Sequence, residues 1–422
     1  MRWLIVFWIF IVSATAYLDR VNISIAGRAI AQDFHLNSIQ LGWVFSAFVI
    51  GYAICQTPAG RLADRLGPRV TLTAGVIWWC IFTALLVLLP AGICGILAAV
   101  LAVRFLLGAG EAVVYPASNC AVAAWVPSAE RGIANGIIFT GVGFGAAVTS
   151  PLIAYIMMQN GWRAAFWVSS AVGLAVGSVW FWIARDTPAQ HPWVSPEERR
   201  FIAAGLPKTA PTGSRLSWAA ILGNRDILAI TLSYFAYGYA AYIFFSWFFI
   251  YLNAVRGLDL RQSSYYTMLP FVAMALGSLV GGWLSDRIMQ RRGKRWGRCG
   301  IAIFGMALAA IFMASATRVA SAHLATFALA GGAGALYLSQ SSFWSVSADL
   351  GGSSAGSVSG LMNMGGQIGA AVTASLTPAI AGRFGWSASF LTAAGLCACG
   401  ALLWITVNPE GKVAGNILET TG

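Results

Sequence analysis

The chain reads as an all-α membrane protein of twelve transmembrane helices in two pseudo-symmetric six-helix bundles, and three observations predict this. First, 58% of its 422 residues are apolar and only 9% charged, with a mean hydropathy of +0.73; no polar stretch is long enough to fold as a soluble domain. Second, runs that satisfy the roughly 20 apolar residues a bilayer crossing requires recur along the whole length. Third, residues of the first half return in the second at a nearly constant offset. The spans fall approximately at 3–31, 38–60, 69–89, 94–123, 130–159, 163–184, 227–252, 262–285, 299–316, 320–346, 353–381 and 386–407.

Charge sets the orientation. Of the 26 Lys and Arg, eighteen fall on one side of this map, among them Arg2, Arg61, Arg131, Arg199, Lys208, Arg215, Lys412 and the run from Arg287 to Arg298. Five, Arg163, Arg256, Arg261, Arg318 and Arg383, fall on the other. An excess of positive loops marks the cytoplasmic side, so both termini are expected there, in a multi-pass protein of the cell inner membrane. The net charge of +12 does not suggest nucleic acid, because the basic residues lie between apolar spans rather than on one exposed face. Arg2, the apolar run Trp3–Val12 and Ala14-Thr15-Ala16 look like a cleavable leader. Removing it would halve the first span and unbalance the repeat, so it is expected to stay. Seven cysteines, Cys55, Cys80, Cys94, Cys120, Cys299, Cys397 and Cys399, lack metal-ligand or disulfide spacing. Neither metal nor cofactor is expected.

The duplication is explicit. Gly132, Gly136, Gly141 and Gly145-Ala146-Ala147-Val148-Thr149 recur 224 positions later as Gly356, Gly360, Gly365 and Gly369-Ala370-Ala371-Val372-Thr373. Gly161-Trp162 returns as Gly385-Trp386, and Gly60-x-Leu62-x-Asp64-Arg65 as Gly282-x-Leu284-x-Asp286-Arg287. The expected organisation is a six-helix bundle over 1–184, a cytoplasmic linker over 185–225, a second bundle over 226–408 and a tail over 409–422. The linker is too short for a catalytic domain. Two such repeats describe a rocking-bundle transporter with its site between them near mid-membrane.

The stretch Gly60-Arg61-Leu62-Ala63-Asp64-Arg65-Leu66-Gly67-Pro68-Arg69 closely resembles the loop signature between the second and third helices of the major facilitator superfamily. Gly60 lets two helices approach, and Asp64 can cap a helix N-terminus or pair with cytoplasmic arginines in one state only. Gly60, Asp64, Arg65, Arg69 and their counterparts Asp286 and Arg287 are therefore expected to form a conformational latch.

A narrower resemblance covers nearly the whole chain. Tyr17-Leu18-Asp19-Arg20-Val21-Asn22, Gly51-Tyr52 with Gln56-x-Pro58-x-Gly60, Arg104-Phe105-Leu106-Leu107-Gly108 with Glu111-Ala112, Trp125-x-Pro127 with Glu130-Arg131, and Gly161-Trp162-Arg163 look like the anion:cation symporter family. That family includes bacterial hexuronate, galactonate and glucarate transporters and the sialin branch in animals. The resemblance implies proton-coupled uptake of a sugar-acid anion. It also implies that Arg20 holds the substrate carboxylate, that Asp19 and Glu111 carry protons, and that Arg104 is their charge partner.

The residue types fit these roles. Charges at bilayer depth are costly and normally face a bundle interior. By helical rise, Asp19 and Arg104 lie roughly 18 Å and 15 Å from the outer ends of their helices, with Glu111 roughly 10 Å nearer the cytoplasm. The order Asp19, Arg104, Glu111 forms a ladder of alternating charge that leaves Arg20 for two-point contact with a carboxylate. The plain alternative is a permanent buried salt-bridge cluster. Tyr52, Gln56, Tyr237, Trp344, Asn363 and Gln367 could supply the hydroxyls, amides and stacking face that a sugar acid needs, or serve only as helix glue. Alternatives for function are another organic anion, such as an aromatic acid or tartrate, and uncoupled exchange. An intramembrane enzyme would need a nucleophile or metal constellation and a membrane sensor an output domain; neither is visible in the sequence. The expected partners are a small organic anion, protons and the lipid bilayer, for a chain working as a monomer.

Overall fold

Hydrocarbon offers no water to exposed peptide groups, so a chain crossing it must satisfy its own N–H and C=O groups, which single helices do. The computed structural model describes residues 1–93, 95–206, 216–248, 251–258 and 260–411, and no strand occurs among them. Cys94, Lys208, Arg215 and Lys412 lie outside the described residues.

The first half consists of α1 (Arg2–Asp33), α2 (Ser38–Leu66), α3 (Pro68–Leu88), α4 (Ile96–Glu111), α5 (Val114–Trp125) and α6 (Arg131–Ile183). Two short helices, α7 (Pro196–Gly205) and α8 (Trp218–Gly223), lie in the connection. The second half holds α9 (Arg225–Ser246), α10 (Leu260–Arg292), α11 (Ile301–Ala316), α12 (Ala322–Leu338), α13 (Gln340–Gly351), α14 (Ala355–Phe384) and α15 (Trp386–Thr406). Eleven helical stretches among the described residues are long and apolar enough to cross a bilayer. One of them, Ala322–Phe384, contains 63 residues, enough for two crossings, which gives twelve.

Local chemistry sets the ends of these helices. Asn37 and Gln40 close a capping box at the start of α2, and Ser195 and Asn224 cap α7 and α9. The repeated Gly-Trp pair marks equivalent turns: Gly161 takes φ 76° inside α6 and Gly385 φ 82° between α14 and α15. A residue with a side chain would be strained at either position. Within the predicted spans 94–123 and 320–346 the backbone stays helical where α4 passes into α5, at Ala112 (φ −58°, ψ −21°) and Val113 (φ −73°, ψ −22°), and where α12 passes into α13, at Ser339 (φ −78°, ψ −18°).

The halves meet most closely at the end that carries Met1 and both Gly-x-Leu-x-Asp-Arg loops, called here the motif end. A Cβ added at Gly60 would stand 2.0 Å from the carbonyl oxygen of Gly356, and one at Gly282 would stand 2.3 Å from that of Gly132. Small residues let helix backbones approach without a side chain between them. Toward the opposite end α2 and α14 part beyond Ala53 and Gln367, leaving an apolar crevice of ≈ 600 Å³.

Gly60→Ala should oppose closure of the motif end, because the clash is with backbone and overpacking costs typically about 1–3 kcal/mol. Cys120 lies beside this contact, so its alkylation, followed by peptide mass spectrometry, should accelerate by about tenfold. An unchanged rate would mean that the Gly60–Gly356 approach does not hold this end shut.

Candidate functional site

Helices α1 and α4 bring four ionisable groups inside the first half. Asp19, Arg104 and Glu111 are buried, and the Arg20 side chain keeps 12% of its exposure. Arg20 Nε donates to Glu111 Oε2 at 2.8 Å. Aromatic faces surround the guanidinium: its carbon stands 4.3 Å from the Tyr52 ring centre, 5.0 Å from Tyr17 and 5.4 Å from Phe48. Phe48 also faces the Arg104 guanidinium at 4.7 Å. Cation–π contact of this kind is strongest where water is excluded.

This pairing corrects the expected ladder. The sequence places Arg104 between two carboxylates with Arg20 set apart; in the structure Arg20 takes Glu111, and Arg104 forms no ion pair among the described residues. Rise along a helix locates a Cα, whereas the long arginine side chain bridges a difference in depth between neighbouring helices. Both carboxylate oxygens of Asp19, Oε1 of Glu111 and Nε of Arg104 find no hydrogen-bond partner among the described residues. Buried polar atoms left in that condition are expensive and mark places where a ligand or proton changes the account.

Arg20 forms one wall of a narrow cavity between the halves, with ≈ 50 Å³ of water-accessible space. Tyr17, Tyr52, Tyr115 and Phe139 line it from the first half; Tyr234, Tyr237, Tyr242, Tyr337, Gln340, Asn363 and Gln367 line it from the second. Of the residues singled out in the sequence, Arg20, Tyr52, Tyr237, Asn363 and Gln367 thus meet in one place. Gln56 stands just outside the lining, where its Oε1 accepts from Asn363 Nδ2 at 2.9 Å and ties the halves together. Trp344 is a buttress behind the wall: it packs on Tyr115 and Phe139, and its Nε1 donates to the Tyr234 hydroxyl at 3.2 Å. Sequence reasoning missed Tyr17, Tyr115, Tyr234, Tyr242, Tyr337 and Gln340. The close spacing of Tyr234, Tyr237 and Tyr242 on one apolar span was the available signal.

Below the cavity, toward the motif end, the path is closed by neutral polar contacts. Asn119 donates to Ser347 at 3.1 Å and Asn135 to Ser345 at 3.3 Å, both across the halves. At the motif end itself each duplicated aspartate caps a helix of the opposite half. Asp64 accepts the N–H groups of Gly356 at 2.9 Å and Ser357 at 2.8 Å, the Ser357 hydroxyl, and the Cys120 thiol at 3.1 Å. Asp286 accepts those of Gly132 at 2.9 Å and Ile133 at 2.6 Å, and pairs with Arg298 at 2.7 Å. Carboxylates at helix N-termini gain from the unpaired N–H groups and the dipole together. Asp349 adds a cross-half ion pair to Arg131, with Lys294 on its second oxygen at 3.0 Å. Arg65 is exposed, Arg69 donates to the Phe181 carbonyl within its own half, and Arg287 lies over Trp283. These three stand outside the cross-half contacts.

Comparison with known proteins agrees with this architecture. The profile of the Major Facilitator Superfamily matches residues 9–374. The chain is 33% identical over 397 residues to the probable sulfoacetate transporter SauU of Cupriavidus necator, covering 93% of this chain and 91% of that protein. It is 32% identical over 305 residues to the probable galactarate/D-glucarate transporter GudP of Escherichia coli, covering 69% and 67%. A crystal structure of the E. coli fucose:proton symporter FucP superposes with a TM-score of 0.70 at 17% identity over 95% of this chain and 97% of that one, a likeness of fold.

Glu111→Ala strips the Arg20 guanidinium of its carboxylate in a buried site and should destabilise the protein by about 3–5 kcal/mol. The double variant Arg20→Ala/Glu111→Ala should cost less than the sum of the single ones. Thermal melts in detergent measure both, and strict additivity would show that the pair is not coupled.

Proposed function

We propose that this chain, which belongs to the Major Facilitator Superfamily and is a multi-pass transporter of small organic anions, is a proton-coupled symporter importing a sugar acid of the hexonate or hexuronate class by alternating access. The observation that carries the reading is the Arg20–Glu111 pair on the wall of a cavity otherwise built of hydroxyls, amides and aromatic faces.

The pair couples the two cargoes by charge. Arg20 and Glu111 together are neutral, and a substrate carboxylate that reaches the guanidinium competes with that of Glu111. If Glu111 takes a proton as the anion arrives, the site stays neutral and nothing charged is left unpaired in a dry medium. Asp19 accepts no hydrogen bond among the described residues and is the second carboxyl available to a proton, with Arg104 the nearby cation on the same helix as Glu111. Tyr237, Asn363 and Gln367 then meet the hydroxyl-bearing body of the substrate, while Gln56 and Trp344 brace the wall. Opening the motif end breaks the Asp64 and Asp286 caps together, which makes both loops the latch of the closed state. The names of the relatives, transporters of sulfoacetate and of galactarate or glucarate, support an organic anion as cargo. Positive-inside asymmetry supports cytoplasmic termini in the cell inner membrane.

A second reading is supported by the tyrosines. Tyr234 and Tyr237 stack with ring centres 5.0 Å apart on one wall, an arrangement that also suits a flat aromatic carboxylate.

Thermal-shift screening of the purified protein against hexonates, hexuronates, aldarates and aromatic acids separates the two readings, since stabilisation by aromatic acids alone would overturn the sugar-acid assignment. Arg20→Ala should weaken binding of the responding anion by roughly a hundredfold, the worth of a two-point charge-assisted contact. Undiminished affinity would remove Arg20 from the binding role. Glu111→Gln imitates the protonated acid and should keep counterflow exchange in proteoliposomes while losing accumulation driven by a pH gradient. Equal loss of both activities would assign Glu111 to structure instead.

A further inference from the structure

Six basic residues and no acidic one lie between Arg287 and Arg298, at the motif end of α10 and the loop after it. Two of them turn inward: Lys294 pairs with Asp349 and Arg298 with Asp286. The other four, Arg287, Arg291, Arg292 and Arg295, are exposed, and none has an acidic partner among the described residues. Two large aromatics bracket them, Trp283 at 51% and Trp296 at 63% exposure, with the Arg287 guanidinium 5.4 Å from the Trp283 ring centre. Arg295 additionally donates to the carbonyl of Ile405 at 3.1 Å, which anchors the loop against the end of α15.

A patch of this kind has a definite complement. Exposed tryptophans at the end of a bilayer-crossing helix settle at the level of the lipid headgroups, half in hydrocarbon and half in water. Guanidinium forks match the oxygens of a phosphodiester, and basic clusters next to a membrane helix gather anionic lipid. We propose that Arg287, Arg291, Arg292 and Arg295, framed by Trp283 and Trp296, form a docking surface for the headgroups of anionic phospholipid in the leaflet at the motif end. The same loop supplies Lys294 and Arg298, which hold the aspartates Asp349 and Asp286 that reach across the halves, so lipid held there sits directly beside those contacts.

The test uses the full-length protein in detergent, titrated with phosphatidylglycerol or phosphatidylcholine and read by native mass spectrometry. Wild type should retain phosphatidylglycerol in preference to phosphatidylcholine. Replacing Arg287, Arg291, Arg292 and Arg295 together by Gln should weaken that preference by about tenfold or more. Replacing the same four by Lys should restore most of it. The control Arg199→Gln/Arg200→Gln, which removes two exposed charges from α7 at the same end, should change little. Should the fourfold Gln variant lose its thermal midpoint, Arg291→Gln/Arg292→Gln read the same way carries the decision, with a several-fold loss expected. The proposal is overturned if the Gln variants keep the wild-type preference or if the α7 control loses as much. It also fails if inorganic phosphate at equal concentration displaces the lipid, which would make the patch an anion site rather than a lipid one.

Discussion

An ionised side chain buried away from water must be matched by an opposite charge or by dipoles, and the contact between Arg20 and Glu111 meets that demand at the centre of the first half. Much else follows from it. The guanidinium needs a shell that tolerates cations without hydrating them, and Tyr17, Phe48 and Tyr52 provide it with their ring faces. The carboxylate sits at the junction of α4 and α5, and one turn further on Tyr115 lines the cavity wall.

The second half answers with a different chemistry at the equivalent place. It presents Gln340 and a group of tyrosine hydroxyls, with no carboxylate, guanidinium, amine or imidazole among the described lining residues of that half. The side chains of the two repeats thus differ: one holds the charge, and the other offers neutral hydrogen-bonding groups and aromatic faces. A small organic anion in the cavity would meet a cation on one side and a neutral wall on the other.

Symmetry is kept more strictly at the motif end, because there it is the backbone that is recognised. Gly132 and Gly356 open helices whose first N–H groups point at a carboxylate from the opposite half, and no side chain could stand between the partners at that separation. Even so the two caps are not identical. Asp286 has the positive charge of Arg298 beside it, and Asp64 accepts from a thiol, a hydroxyl and peptide groups. Arg131, Asp349 and Lys294 add an ionic cluster where α6 and α10 meet.

Properties that depend on period, composition and repetition were legible in the sequence. Apolar runs of bilayer length, the return of Gly161-Trp162 as Gly385-Trp386, and the recurrence of the Gly60 loop at Gly282 specify twelve helices in two related halves, since each of these is a statement about backbone demand that a single segment makes by itself. The rank of Asp19, Arg20, Arg104 and Glu111 as buried charges was equally plain. Only the tertiary structure decided who pairs with whom. Arg20 reaches Glu111 rather than standing apart, Gln56 turns to Asn363, Trp344 withdraws behind Tyr234, and Arg65, Arg69 and Arg287 stay outside the cross-half contacts of Asp64 and Asp286. The physical reason is that a side-chain contact depends on the rotation, tilt and spacing of two different helices and on the reach of each side chain, and none of those is encoded in the spacing of residues along either helix alone.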